Sequence, residues 1–111
     1  MEIHVERDNT IAVVAVSGDV DAGTAPQLRQ QFDELLGDGE QNFVIDLSGV
    51  AFMDSSGLAT LVQLFKRVRI GHGDVRLCGL QPEVRRIFEL TRLDRVFDVF
   101  PSRQEAVASY H

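Results

Sequence analysis

The sequence predicts a small α/β domain with a mixed, mostly parallel β-sheet of about five strands and about four helices. Three observations predict it. Segments of strand character alternate with segments of helical period. Only the first two strands follow one another without a helix between them. Most breaks carry a turn, cap or stop signal of their own. At 111 residues, the chain reads as one domain spanning 1–111, large enough for a core and too small for two.

Ile3 and Val5 alternate with Glu2, His4 and Glu6, the pattern of a half-exposed strand. Asp8-Asn9 marks a turn, and Ile11 to Val16 reads as a strand apolar on both faces, so the two form a hairpin. A polar loop, Ser17 to Gly23, follows. Thr24-Ala25-Pro26-Gln27 has the form of a capping box, with Thr24 as N-cap and Gln27 reaching back. The helix then lines up Leu28, Phe32, Leu35 and Leu36 in one stripe and ends at Gly37-Asp38-Gly39.

Phe43 to Leu47 is nearly all apolar, as expected of a central strand covered on both sides. A second helix, Leu58 to Ile70, turns Leu58, Leu61, Val62, Phe65 and Val68 inward. It places Lys66, Arg67 and Arg69 near its C-terminus, where cations suit the dipole, and stops at Gly71. Val75 to Cys78 is a further strand. Pro82 opens a third helix with Val84, Ile87 and Phe88 inward. Val96 to Phe100 reads as a last short strand, and Ser102-Arg103-Gln104-Glu105 as a second capping box. The order β-β-α-β-α-β-α-β-α demands right-handed crossovers and one antiparallel edge strand.

Hydrophobic residues make up 44% and charged residues 25%, ordinary for a soluble globular protein. No apolar run approaches the roughly 20 residues that span a bilayer. The N-terminus lacks the basic and apolar regions of a signal peptide, so a cytoplasmic location is expected. Cys78 is the single cysteine; it cannot form an internal disulfide and reads as a small buried filler. The net charge of −6, from 17 acidic and 11 basic residues, argues against nucleic-acid and membrane partners.

The segment Met53-Asp54-Ser55-Ser56-Gly57 lies between the central strand and the second helix. A helix start offers unpartnered N–H groups and the positive end of the dipole. Its two serines could cap the helix, bind an anion or carry a phosphate. Metal binding is not expected: His4, His72 and His111 lie far apart in sequence and there is no CxxC. Hydrolase chemistry is not expected either. Gly57 supplies the trailing glycine of a G-x-S-x-G elbow about Ser55, but Met53 stands in the leading place.

A bound nucleotide fares poorly too. There is no P-loop motif, Lys66 is eleven residues past Ser55, and Asp54 repels phosphate. No cofactor is therefore expected. A covalent phosphate delivered by a kinase remains, joining the dipole and the free N–H donors. The plain alternative stays open: Ser55 and Ser56 as a cap and its neighbour, with Asp54 favouring the dipole and Asp19 and Asp21 as turn residues.

Phe52-Met53-Asp54-Ser55-Ser56-Gly57-Leu58, after a buried strand, resembles the phosphorylation motif of the anti-sigma factor antagonists, the stand-alone STAS domains. Ser17-Gly18-Asp19-Val20-Asp21 resembles the loop after that family's second strand. Val44 to Val50 resembles the approach to its phosphosite, and Pro82 to Phe88 its third helix. Ala59, where relatives often have glycine, and Gln81, in place of a better cap, depart from the pattern.

The resemblance implies the STAS fold and a non-catalytic, partner-switching regulator of bacterial transcription. Its unmodified form binds a GHKL-type anti-sigma factor that is also a serine kinase, and so releases the sigma factor. It implies Ser55 as the phosphoacceptor, less so Ser56, and a PP2C-type phosphatase that reverses the mark. Asp19, Asp21, Asp54, Ser55, Ser56, Gly57 and Leu58 are the implied partner-binding residues. A monomer is the simpler expectation. Two other readings remain: a STAS accessory subunit of a transport or other regulatory assembly, and a small nucleotide-binding domain.

Overall fold

Two strands open the chain, β1 (Glu2–Asp8) and β2 (Ile11–Ser17), paired antiparallel from Glu2 opposite Ser17 to Asp8 opposite Ile11. Asn9 makes the turn in the left-handed region at φ 60°, which asparagine tolerates better than most residues. The computed structural model describes residues 1–111. Helix α1 (Ala25–Gly37), strand β3 (Asn42–Gly49), helix α2 (Ser55–Ile70), strand β4 (Asp74–Cys78) and helix α3 (Pro82–Leu90) follow. A 3-10 turn at Leu93–Arg95, strand β5 (Asp98–Phe100) and helix α4 (Arg103–Ala108) complete it. The last strand is shorter than its sequence suggests. The turn takes up the chain before it, and Phe97 goes to the core instead.

The sheet runs β1-β2-β3-β4-β5 with every pair after the first parallel. Strands that advance in one direction through right-handed crossovers must drop their connecting helices on the same face. The side chains divide accordingly. Ala12, Val14 and Val16 of β2, Phe43, Ile45 and Leu47 of β3, and Val75 and Leu77 of β4 pack with the apolar stripes of α1, α2 and α3. Ile11, Val13, Val44 and Cys78 point the other way, under Ala106, Val107 and Tyr110 at the end of the chain. This accounts for the continuous apolar run in β2, which is needed on both sides.

In α2 the inward residues are Leu58, Leu61, Leu64 and Val68; Val62 and Phe65 lie at the margin. Leu64, absent from the inward stripe expected from the sequence, is buried in their place. Ile87 of α3 and Leu36 of α1 are likewise marginal. The first capping box does not form. Thr24 has helical rather than extended backbone (φ −105°, ψ −24°) and its side chain caps nothing. Gln27 instead donates from Nε2 to the Met1 carbonyl at 3.4 Å. The second box forms in half: Ser102 Oγ accepts from the Glu105 N–H at 3.2 Å. No helix is long and apolar enough to cross a membrane.

The short α4 is fastened at both ends. Tyr110 donates its hydroxyl toward the Phe43 carbonyl (2.7 Å) and the Asp74 carbonyl (2.9 Å), while the Arg76 guanidinium stacks 4.0 Å over its ring. Arg103 Nη2 donates to Asp46 at 3.0 Å and Nη1 to Glu6 at 3.3 Å, joining α4 to β3 and β1. Cys78 lies beneath this cover, its thiol pushed up to about 12 by burial and by the nearby Asp46 carboxylate. It is the inert filler that its sequence context suggests. A groove of about 620 Å³ remains open on the same face, lined by Ser17, Asp46, Ser48, Gly49 and Arg103 among others.

Burial alone would raise the pKa of Asp46, but the Ser48 N–H and hydroxyl and the Arg103 guanidinium outweigh it and hold the carboxyl below its usual range. A carboxyl depressed on folding stabilises the protein fully above its unfolded pKa of about 4 and loses that contribution as pH falls through the folded value. Asp46→Asn should therefore lower the urea midpoint at pH 7 and lower it less as the pH is taken toward 3. Equal losses at both pH values would contradict this assignment.

Candidate functional site

β2 and β3 are parallel and end together at one end of the sheet, and their loops stay paired beyond it. The Gly18 N–H donates to the Gly49 carbonyl at 3.0 Å and the Val20 N–H to the Phe52 carbonyl at 3.0 Å. The Asp54 N–H returns to the Val20 carbonyl at 3.1 Å. Val20 and Met53 thus form an isolated parallel bridge, and both are fully buried. Side chains alternate along extended backbone. With Val20 and Met53 inside, their neighbours Asp19, Asp21, Phe52 and Asp54 stand toward the surface.

Asp54 is the residue that caps α2. Its backbone is extended (φ −102°, ψ −171°), and Oδ1 accepts the Ser56 N–H at 2.8 Å and the Gly57 N–H at 3.3 Å. Neither serine is the cap, because both already lie inside the first turn. Ser55 is exposed and its hydroxyl has no hydrogen-bond partner within the chain. Ser56 is half-buried, and its carbonyl also accepts the Thr60 hydroxyl at 2.9 Å.

The cap also changes one expectation about the first turn. Two of its N–H groups are already taken by Asp54, so they are not free for an incoming phosphate. Such a group would sit beside a fixed carboxylate.

The remaining candidate residues divide between surface and support. Asp19 is exposed, and its carbonyl accepts the Thr24 hydroxyl at 2.9 Å. The Asp21 carboxylate is turned into its own loop, accepting from the Gly23 N–H (2.9 Å), the Thr24 N–H (3.0 Å) and the Thr24 hydroxyl (3.2 Å). This local capping by Asp21 is what displaces the expected Thr24 box.

Gly57 and Leu58 are buried, Leu58 to 8% exposure. Expected among the partner-contact residues, they pack beneath this surface and support it. A Cβ on Gly57 would stand 2.7 Å from Met53 Cγ and 2.8 Å from Val20 Cγ1. Only glycine lets α2 approach the bridge so closely.

Phe52 has no role expected from its sequence, yet it is 49% exposed at the margin of this surface. The signal was present. Phe52 and Met53 are consecutive on extended backbone, so only one of them can face inward. No group of three or more histidine, cysteine or acidic side chains is arranged to hold a metal ion. The open groove on the far face includes none of Ser55, Ser56 or Asp54.

With this fold and loop geometry in view, comparison with known proteins is direct. The STAS domain family matches residues 2–106, and the chain belongs to that family. It is 33% identical over 94 residues to the anti-sigma-B factor antagonist of Listeria monocytogenes, covering 85% of this chain and 82% of the relative. It is 30% identical over 99 residues to the anti-sigma-B factor antagonist of Bacillus subtilis, covering 89% and 90%. The crystal structure of an anti-sigma factor antagonist from Mycobacterium paratuberculosis superposes with a TM-score of 0.90 at 32% identity, covering 97% of this chain and 92% of that one.

Two substitutions test the construction of the site. Gly57→Ala should cost about 1–3 kcal/mol, the range for forcing a methyl group into a packed contact, read as a lowered urea midpoint. Asp54→Ala should cost about 0.5–2 kcal/mol through loss of the cap. Faster amide exchange at Ser56 and Gly57, with β4 unchanged, would place that loss at the start of α2.

Proposed function

We propose that this chain is an anti-sigma factor antagonist switched by phosphorylation of Ser55. In its unmodified form it binds an anti-sigma factor that is also a GHKL-type serine kinase, and so frees the sigma factor. The kinase then marks Ser55, with Ser56 the lesser candidate, and a PP2C-type phosphatase removes the mark. The reading is supported by membership of the STAS family and by relatives named as anti-sigma factor antagonists. The observation that carries it is the position of Ser55: exposed, unbonded and held on a preformed helix start.

Transfer would form a bond between Ser55 Oγ and the γ-phosphorus of ATP as the bond to ADP breaks. The hydroxyl proton would pass to a base on the kinase. The product carries about 1.5 to 2 negative charges beside the Asp54 carboxylate. Unit charges 5–6 Å apart interact by roughly 3 kcal/mol at an effective dielectric near 20, and by less where water and salt screen them. A partner surface matched to a neutral hydroxyl loses binding tenfold for each 1.4 kcal/mol or so. A partial share of that repulsion, with the added bulk, is enough for a switch.

Incubation with ATP and a GHKL-type serine kinase from the same organism, followed by mass spectrometry, tests the reading. One phosphate at Ser55, absent from Ser55→Ala, is expected, together with at least about tenfold weaker kinase binding by Ser55→Asp. Failure of transfer to the wild type, with unchanged binding by Ser55→Asp, would overturn it.

A further inference from the structure

The exposed large hydrophobic side chains are Phe52, Ile70, Leu90 and Val96, and Phe52 is the one aromatic among them. Ile70 and Leu90 end α2 and α3. Phe52 stands at the start of α2, three residues before Ser55. Its backbone is not free to move the ring inward. The Phe52 carbonyl accepts the Val20 N–H at 3.0 Å, and the next residue, Met53, is fully buried, while Ala51 before it is exposed like Phe52. The ring is therefore presented to solvent by a rigid support, at little further cost in conformational freedom when a partner covers it.

We propose that Phe52 is the apolar anchor by which the kinase of the preceding section docks. The ring enters an apolar pocket on that kinase, whose rim carries a cationic side chain facing Asp19. This deepens the proposed function and rests on it.

Distance identifies the occupant. Three residues of chain place the Phe52 and Ser55 Cα atoms at most about 11 Å apart. A protein interface of standard size buries roughly 800 Å² on each partner, a patch about 30 Å across. A kinase that encloses the Ser55 hydroxyl in a dry transfer site must therefore cover Phe52 as well. Charge gives the rim. The parallel bridge between Val20 and Met53 brings Asp19 alongside Phe52, and Asp19 is exposed. Asp21 and Asp54 are half-buried, each with one carboxylate oxygen held by its own loop, so the exposed Asp19 is the carboxylate best placed to meet a cation. Aromatic side chains seated in desolvated pockets are enriched among the residues that dominate binding energy.

The test measures affinity for that GHKL-type serine kinase by titration calorimetry, and phosphate transfer to Ser55 over a range of substrate concentrations. Phe52→Ala should bind about 30-fold more weakly. It should raise the KM for transfer while leaving kcat within about twofold, because uniform binding is what it removes. Phe52→Leu should recover most of the affinity, and Asp19→Asn should weaken binding by a smaller factor that shrinks at high salt. Phe52→Gln keeps bulk without an apolar ring and guards against misfolding of the alanine variant. Wild-type affinity in both Phe52→Ala and Phe52→Gln, with normal marking of Ser55, would overturn the anchor alone. Absence of kinase binding by the wild type would overturn the proposed function and the anchor with it.

Discussion

The pairing of β2 with β3, carried past the end of the sheet by the Val20–Met53 bridge, is the constraint on which the site depends. Backbone hydrogen bonds there hold two loops that would otherwise move independently. Burial of Val20 and Met53 anchors both loops in the main core. Gly57 then lets α2 begin directly against this bridge. The position of Ser55 follows from that packing and not from any contact of its own side chain. An exposed hydroxyl with a fixed location is the result.

A second constraint comes from handedness. A sheet ordered β1-β2-β3-β4-β5 has no reversal of direction among its parallel strands. Its three crossover helices therefore share one face, and the order offers none of the crevices that nucleotide-binding sheets form where strand order reverses. The opposite face is left to α4, which covers only the patch around Val13, Val44 and Cys78. Arg103 and Tyr110 secure that short helix with hydrogen bonds to β1, β3 and β4. A helix this small buries too little apolar surface to hold itself in place.

Much of this was legible in the sequence, because hydrophobic period and turn chemistry act locally. Element order, the antiparallel first strand, the two-sided burial of Ile11 to Val16 and the inert Cys78 all follow from such patterns. Local capping was read less well. Thr24 and Gln27 are the right residue types for a box, but Asp21, three residues before Thr24, takes the Thr24 N–H that Gln27 would have reached. Ser55 and Ser56 were plausible caps, yet Asp54 precedes them and offers a charged acceptor. The surface role of Phe52 depends on which neighbour the bridge to Val20 draws inward. That is a long-range fact, and it could be read only once the pairing of the two loops was known.

The capped start of α2 also bears on time. Because Asp54 already completes the first turn, a mark placed on Ser55 as proposed would require no segment to fold or melt. Loops that must order themselves respond over microseconds to milliseconds and add an entropic charge to each cycle. On the proposed reading the mark would land on a backbone already in place, so the pace of response would belong to the enzymes that write and erase it.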